Sequence, residues 1–369
     1  MGRETYTGDV AFEVRGHLGI ITLNRPKALN SLTELMCESI TVQLDQWAGD
    51  DDVAQVLIRG AGEKGLCAGA DVTAFYRDMV AGQERDGGPL LPEGTPAYSH
   101  QFASERMLAV EYRMNLMIAE YPKPYIAMMD GVTLGGGVGV SAHGSHRVVT
   151  ERSRVGMPET TIGFTPDVGG SWLLARAGAK GLHAGMTGAH LGAADAIHLG
   201  LADYFVPTAE RERLTEALTT GSAGEVLEQF SVEPAETSGL AAEDSAWIEQ
   251  AYAAPSVPEI LRALDEAGAE HPAAAEAAST LRTKSPTMLH VTHRSIRSAG
   301  GLSLEGALSQ EYTVAVHALR SHDFREGIRA QVVEKDRTPQ WRPESVDVVD
   351  EDLVAHYFTP VPGKMLRLR

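Results

Sequence analysis

Cysteine is nearly missing from this chain of 369 residues: only Cys37 and Cys67 are present, and no CxxC spacing occurs. That excludes a disulfide framework and a cysteine-built zinc site, and it fits a reducing compartment. Basic excess is also missing. The formal net charge of -18 argues against nucleic acid as a partner, because phosphates need a cationic footprint. An anionic ligand would gain no long-range attraction, so any phosphate site must be built locally. No apolar run reaches ~18 residues, so no membrane span is expected. The first ten residues are polar and acidic, and no signal peptide is visible. Tyr6 stands where a myristoylation motif wants Ser or Thr. There is no internal repeat. These absences lead to the expectation of a cytoplasmic globular protein with no membrane attachment.

What is present is ample apolar material, 43% of the chain, enough for a sizeable core. The first half alternates short apolar runs with helical patterns. Gly19 to Leu23, Val53 to Arg59, Tyr125 to Met129 and Arg147 to Thr150 read as strands. Ser31-Leu32-Thr33-Glu34 reads as a capping box, followed by Leu32, Met36, Ile40, Leu44 and Trp47 at helical spacing. Strands alternating with helices predict an α/β fold. Gly82 to Pro96, rich in Gly, Pro and charge, reads as a long functional loop. A helix near Ser104 to Glu120 carries Met107, Met114, Met117 and Ile118 as core filler. After Pro207 the strand-like runs vanish. Ser285-Pro286 opens a helix that stops at Gly300-Gly301, and Ser303 caps another lined by Leu308, Tyr312, Ala315 and Leu319. The expected division is a core of residues 1–205 and a helical C-terminal region of residues 206–369.

Three stretches carry candidate chemistry. Met157-Pro158-Glu159 and Pro166-Asp167-Val168-Gly169-Gly170 place two acids directly after prolines, whose fixed dihedral gives each a stiff start. A carboxylate in apolar surroundings serves as base, nucleophile or, when protonated, acid. Gly135 to Gly139 admits three readings: a tight turn, a weak imitation of a dinucleotide fingerprint, or a set of bare amides at a helix N-terminus able to hold an oxyanion. Leu66 to Asp71 reads as a turn opening a helix, with Asp71 as cap. Glu111 sits on the Met107 and Met114 stripe, and an inward carboxylate is costly unless paired or functional.

Taken in order, Asn24 to Asn30, Cys67-Ala68-Gly69-Ala70-Asp71, Lys123 to Ala127, Gly135-Gly136-Gly137 and the Glu159 segment resemble the crotonase (enoyl-CoA hydratase/isomerase) superfamily over roughly residues 10 to 206. The fold implied is a crotonase-like spiral of ββα units. Gly135 to Ser141, His143-Gly144, the two acid motifs, and a tail of His322 to Ala330, Lys335-Asp336-Arg337 and Trp341 are most similar to 3-hydroxyisobutyryl-CoA hydrolases. Residues 208 to 280 match poorly.

The resemblance implies that the N–H groups of Ala70 and Gly136 form the oxyanion hole for a thioester carbonyl, each donor worth ~3–4 kcal/mol to the transition state. The Ala68 and Ala70 backbone would also bind the adenine end of coenzyme A. Arg25 and Lys27 are candidates to meet its phosphates, against the reading that lone surface basics usually do nothing. Glu159 would be the principal acid, Asp167 its partner, and Glu111 a contact for a substrate hydroxyl. No cofactor is implied, since coenzyme A is part of the acyl-CoA substrate, and the homo-oligomer implied is a trimer or hexamer. Hydratases of the superfamily carry a second glutamate where Gly139 stands and glycine where Asp167 stands. Moving the second acid favours hydrolysis of an acyl-CoA thioester, in valine catabolism, over addition of water to an alkene.

An enoyl-CoA hydratase or isomerase is the alternative, and a non-catalytic CoA-binding homologue a third reading. Two routes stay open for Glu159: attack on the carbonyl to give an anhydride, or activation of water. Asp167 has a bland reading as the N-cap of the helix through Trp172. His143 reads as a packing residue, since no G-x-S-x-G elbow is present. His290 and His293 lack a third ligand, so no metal site is expected.

Overall fold

A computed structural model describes residues 3–86, 102–241 and 245–368, without the side chains of 3–7 and 83–86. The chain packs as two compact units, each assembled from three separate segments. The first comprises Met1–Ala70, Val110–Gly156 and His190–Ala241; the second comprises Asp71–Ala109, Met157–Ala189 and Ala242–Arg369. The sequence boundary near 205 falls inside a segment of the first unit.

The first unit holds every described strand: β1 (Arg3–Thr7), β2 (Val10–Arg15), β3 (Leu18–Leu23), β4 (Gln55–Gly60), β5 (Gly65–Cys67), β6 (Tyr125–Met129), β7 (Val132–Leu134), β8 (His146–Val149), β9 (Arg154–Gly156) and β10 (Tyr204–Phe205). Seven form one sheet in the order β1-β2-β3-β4-β6-β8-β10, and three form a second, β5-β7-β9. β1 to β3 are an antiparallel meander; from β3 onward the large sheet is parallel, and so is the small one. The pairs β4 and β5, β6 and β7, and β8 and β9 each give one strand to each sheet. This is the repeating step of the spiral, and it confirms the crotonase-like α/β fold. The repeat exists in the backbone path and not in the sequence.

The four predicted strands stand within two residues of expectation, because buried parallel strands read as continuous apolar runs. The three-residue strands of the small sheet are too short to show any period. One face of the large sheet is covered by the helices Arg211–Leu218 and Ala223–Phe230, whose Leu214, Leu218, Val226 and Leu227 join Leu57, Ile126 and Val148 in a buried cluster. The capping box is corrected. Thr33, not Ser31, caps the helix Glu34–Ala48 by accepting the Met36 amide. Leu32 lies outside that helix, bridged to Ala70.

Among the described residues the second unit is helical. Its helix Val72–Asp86 takes in the start of the stretch read as a loop from Gly82, and residues 87–96 lie outside the described part. Ser285 and Ser303 cap Pro286–Ala299 and Leu304–Ala318 as predicted. The segment from Met157 to Gly170 contains only the 3-10 turn Glu159–Ile162, so its shape is imposed from outside. The helix His322–Ile328 presses on that turn. A Cβ on Gly163 would lie 2.2 Å from the Asp323 carbonyl oxygen, and one on Gly327 would lie 2.2 Å from the Ile162 backbone. Phe324 stacks on Phe164 at 4.5 Å and meets Phe75 edge-on. Asp323 accepts from the Ser285 hydroxyl at 2.5 Å and from the Arg342 amide at 2.9 Å.

Gly327→Ala should therefore cost about 3 kcal/mol, since the obstacle is backbone and has no rotamer to yield. Gly224→Ala, in a helix where a new Cβ meets nothing within 4 Å, should gain up to about 1 kcal/mol. Urea denaturation of both variants checks the contrast; equal midpoints would refute it.

Candidate active site

In the first unit, two short backbone stretches are brought together by residues that were not singled out for function. Leu29 and Asn30 both adopt left-handed backbone (φ 52 and 55), a conformation that Asn tolerates better than most residues. The Asn30 side chain accepts from the Arg25 amide and donates to the carbonyls of Ala61 and Gly65. The Leu29 carbonyl takes the Ala68 amide at 3.0 Å, and the Gly69 carbonyl takes the Leu32 amide at 2.9 Å. The stretch through Ala70 is thus held as an extra strand beside Leu32. On the other side, Gly135 (φ 52) donates to the Gly156 carbonyl and turns the chain from β7 into the short helix Gly136–Gly139.

The two stretches meet where side chains are missing. A Cβ on Gly137 would strike the Cys67 carbonyl at 2.3 Å. A Cβ on Gly136 would lie 2.4 Å from Glu111 Oε1 and 3.4 Å from the Ala70 amide nitrogen. Ala70, Gly136 and Glu111 therefore converge, and Gly136 is required there for want of room. Neither the Ala70 nor the Gly136 amide donates a hydrogen bond among the described residues. Two such N–H groups beside a buried carboxylate suit a carbonyl oxygen that gains negative charge, next to a group that can accept from a hydroxyl. Glu111 is 1% exposed, as the stripe on Ala103–Ala119 implies.

Ala68 is half-buried in the same stretch. Arg25 is engaged within the fold, donating to the Ser31 carbonyl at 2.7 Å and pairing with Asp9 at 3.5 Å. Lys27 is exposed on the turn Pro26–Ala28.

In the second unit, Glu159 begins the 3-10 turn Glu159–Ile162 and Asp167 precedes the helix Gly170–Arg176. Both side chains are buried, at 8% and 6% exposure, so neither points to bulk solvent. Asp167 is not the cap of that helix. Gly169 is the N-cap, and Glu311 accepts from the Gly169 amide at 2.7 Å and the Ser171 amide at 3.0 Å. The bland reading of Asp167 is thereby removed. Glu311 was missed in the sequence although it sits between Leu308 and Tyr312 on an apolar stripe, the same signal that marked Glu111.

The remaining candidates are occupied. His290 faces the Val346 carbonyl, His293 accepts from Arg297, and His143 is buried in a turn after Ser141. Cys67 and Cys37 are buried free thiols. Burial pushes Cys67 up to about 12 and Cys37 well above its ordinary value. At pH 8 Cys67 is therefore held as the thiol. Native protein should accordingly be silent to a disulfide reagent at pH 8 and yield both thiols in guanidinium. Rapid labelling of folded protein would contradict this burial.

A family model described as enoyl-CoA hydratase/isomerase matches residues 18–358. A protein of Rattus norvegicus named "3-hydroxyisobutyryl-CoA hydrolase, mitochondrial" is 38% identical over 97% of this chain and 90% of its own length. The Homo sapiens protein of the same name is 34% identical over 95% of this chain and 88% of its own length. Among solved structures, a carnitinyl-CoA dehydratase from Mycobacterium thermoresistibile is 44% identical with a TM-score of 0.88, covering 98% of this chain and 99% of its own. An enoyl-CoA hydratase from Rhodobacter sphaeroides 2.4.1 is 37% identical with a TM-score of 0.85, covering 98% and 100%.

Proposed function

This chain belongs to the enoyl-CoA hydratase/isomerase family, and we propose that it works there as an acyl-CoA thioester hydrolase whose substrate is 3-hydroxyisobutyryl-CoA. The curated relatives that span nearly its whole length support the hydrolase class and the acyl group. The two solved structures, a carnitinyl-CoA dehydratase and an enoyl-CoA hydratase, favour dehydration or hydration instead. The observation that carries hydrolysis is the placement of the acids. Asp167 is buried in the same segment as Glu159, while Gly139, where hydratases hold a second glutamate, offers no side chain to anchor water.

In the proposed reaction the thioester carbonyl oxygen accepts from the Ala70 and Gly136 amides, which lowers the energy of the tetrahedral oxyanion. Either Glu159 attacks the carbonyl carbon and water later opens the anhydride, or Glu159 removes a proton from the attacking water. In both routes the C–S bond breaks and the coenzyme A sulfur leaves as thiolate to be protonated. The net change is thioester plus water to acid plus thiol. Asp167 orients the water or supplies the proton. Glu111 accepts from the 3-hydroxyl of the acyl group, and Ala68, Arg25 and Lys27 contribute to holding coenzyme A. A homotrimer or homohexamer, and residence in the cytoplasm, are part of the same proposal. The two buried thiols support a reducing compartment, whereas the curated relatives are named as mitochondrial. No helix among the described residues is long and apolar enough to cross a membrane.

The test is to incubate the protein with 3-hydroxyisobutyryl-CoA and, separately, with crotonyl-CoA, following free thiol and enone absorbance. Thiol release from the hydroxyacyl ester alone is expected. Loss of enone absorbance without thiol would favour the hydratase reading, and silence with CoA binding the non-catalytic one. Glu159→Gln should reduce thiol release by at least about 100-fold while leaving CoA binding intact. Unchanged turnover would reject the assignment.

A further inference from the structure

The turn carrying Asp167 is strained, and one buried side chain takes three of its donors. Val168 has φ 51 and Gly169 φ 79, so a β-branched residue occupies the left-handed region that its side chain disfavours. The Gly170 amide closes the turn on the Asp167 carbonyl at 2.6 Å. Three further donors around the turn go to Glu311. Its Oε2 accepts the Gly169 amide at 2.7 Å, and its Oε1 accepts the Ser171 amide at 3.0 Å and the Ser171 hydroxyl at 2.5 Å. Glu311 is fully buried on Leu304–Ala318, and no cation lies within ion-pair distance of it among the described residues. A buried carboxyl satisfied only by neutral donors is an expensive choice for packing a helix. An apolar residue of similar volume would fill the space but would leave two turn amides without acceptors.

We propose that Glu311 is a positioning residue for Asp167: it pins the amides on either side of Gly170, keeps Val168 left-handed, and so fixes where the Asp167 carboxyl points. The two carboxyls also feel one another. Burial pushes Glu311 up to about 8, the Asp167 charge adds to that rise, and the hydrogen bonds from Gly169 and Ser171 oppose it. The proposal rests on the hydrolase reading for the step that Asp167 serves, and it extends the working parts of the acid segment to a helix remote in the chain.

The experiment compares Glu311→Gln, Val168→Gly and the double variant in thiol release from 3-hydroxyisobutyryl-CoA. In Glu311→Gln one acceptor becomes a donor, and kcat should fall about tenfold or more with KM within about twofold. In a chain that already has glycine at position 168, which adopts the left-handed turn without strain, the same change should cost less than about threefold. An unchanged kcat, or an equal loss in both backgrounds, would overturn the proposal. A second readout needs neither turnover nor a Glu311 variant. With carboxyl-labelled glutamate followed by NMR, the Glu311 titration should lie near 8 and move down when Asp167→Asn removes the neighbouring charge. A resonance indifferent to that change would also overturn it. Wild-type protein that releases no thiol would strike down the hydrolase reading, and the titration would still decide the role of Glu311.

Discussion

Contact between bare backbones is the constraint on which the acid segment depends. From Met157 to Gly170 the chain forms one short 3-10 turn and no longer element, so it has no internal ladder to hold two acids in place. The helix His322–Ile328 acts as its mould, and it reaches the turn only because Gly163 and Gly327 leave no Cβ in the way. Phe324 against Phe164 seals the contact, and Asp323 ties the mould to Ser285 and Arg342. The tail motif from His322 to Ala330 is thus a structural part, packed against the turn that carries Glu159.

Buried carboxyls within the second unit are stabilised in two ways, with different consequences. Glu105 is ion-paired with Arg320 at 2.5 Å and Lys364 at 2.6 Å. Glu311 and Asp323 are given hydroxyl and amide donors instead, and burial raises the proton affinity of both. Their neutral donors hold each carboxyl in position and oppose that rise without cancelling it. That support stands beside Asp167, and it distinguishes the surroundings of that turn from the ion-paired Glu105.

The first unit meets a complementary demand, the exposure of two main-chain donors in a buried place. An amide leaves its ladder only if its neighbours are held by other means. Around Ala70 those means are the carbonyls of Leu29 and Gly69, with Asn30 holding the loops behind them. Around Gly136 they are the Gly135 turn and the contact of Gly137 with Cys67. Bringing Glu111 to the same spot turns a pair of donors into a site with both polarities.

The sequence alone determined whatever is encoded within a turn or two of helix or along one strand. The serine caps at 285 and 303, the stripe on Leu304–Ala318, the buried parallel strands and the order of the site motifs were all legible, because capping and periodicity are local rules. Glu111 was legible too, as an acid on an apolar face. Only the tertiary structure decided what depends on partners distant in the chain. It built a second sheet from three-residue strands and gave the amides of Gly169 and Ser171 to an acid about 140 residues away. The physical reason is that a hydrogen bond or a missing Cβ is specified by what folding brings within 3 Å, and adjacent residues carry no record of it.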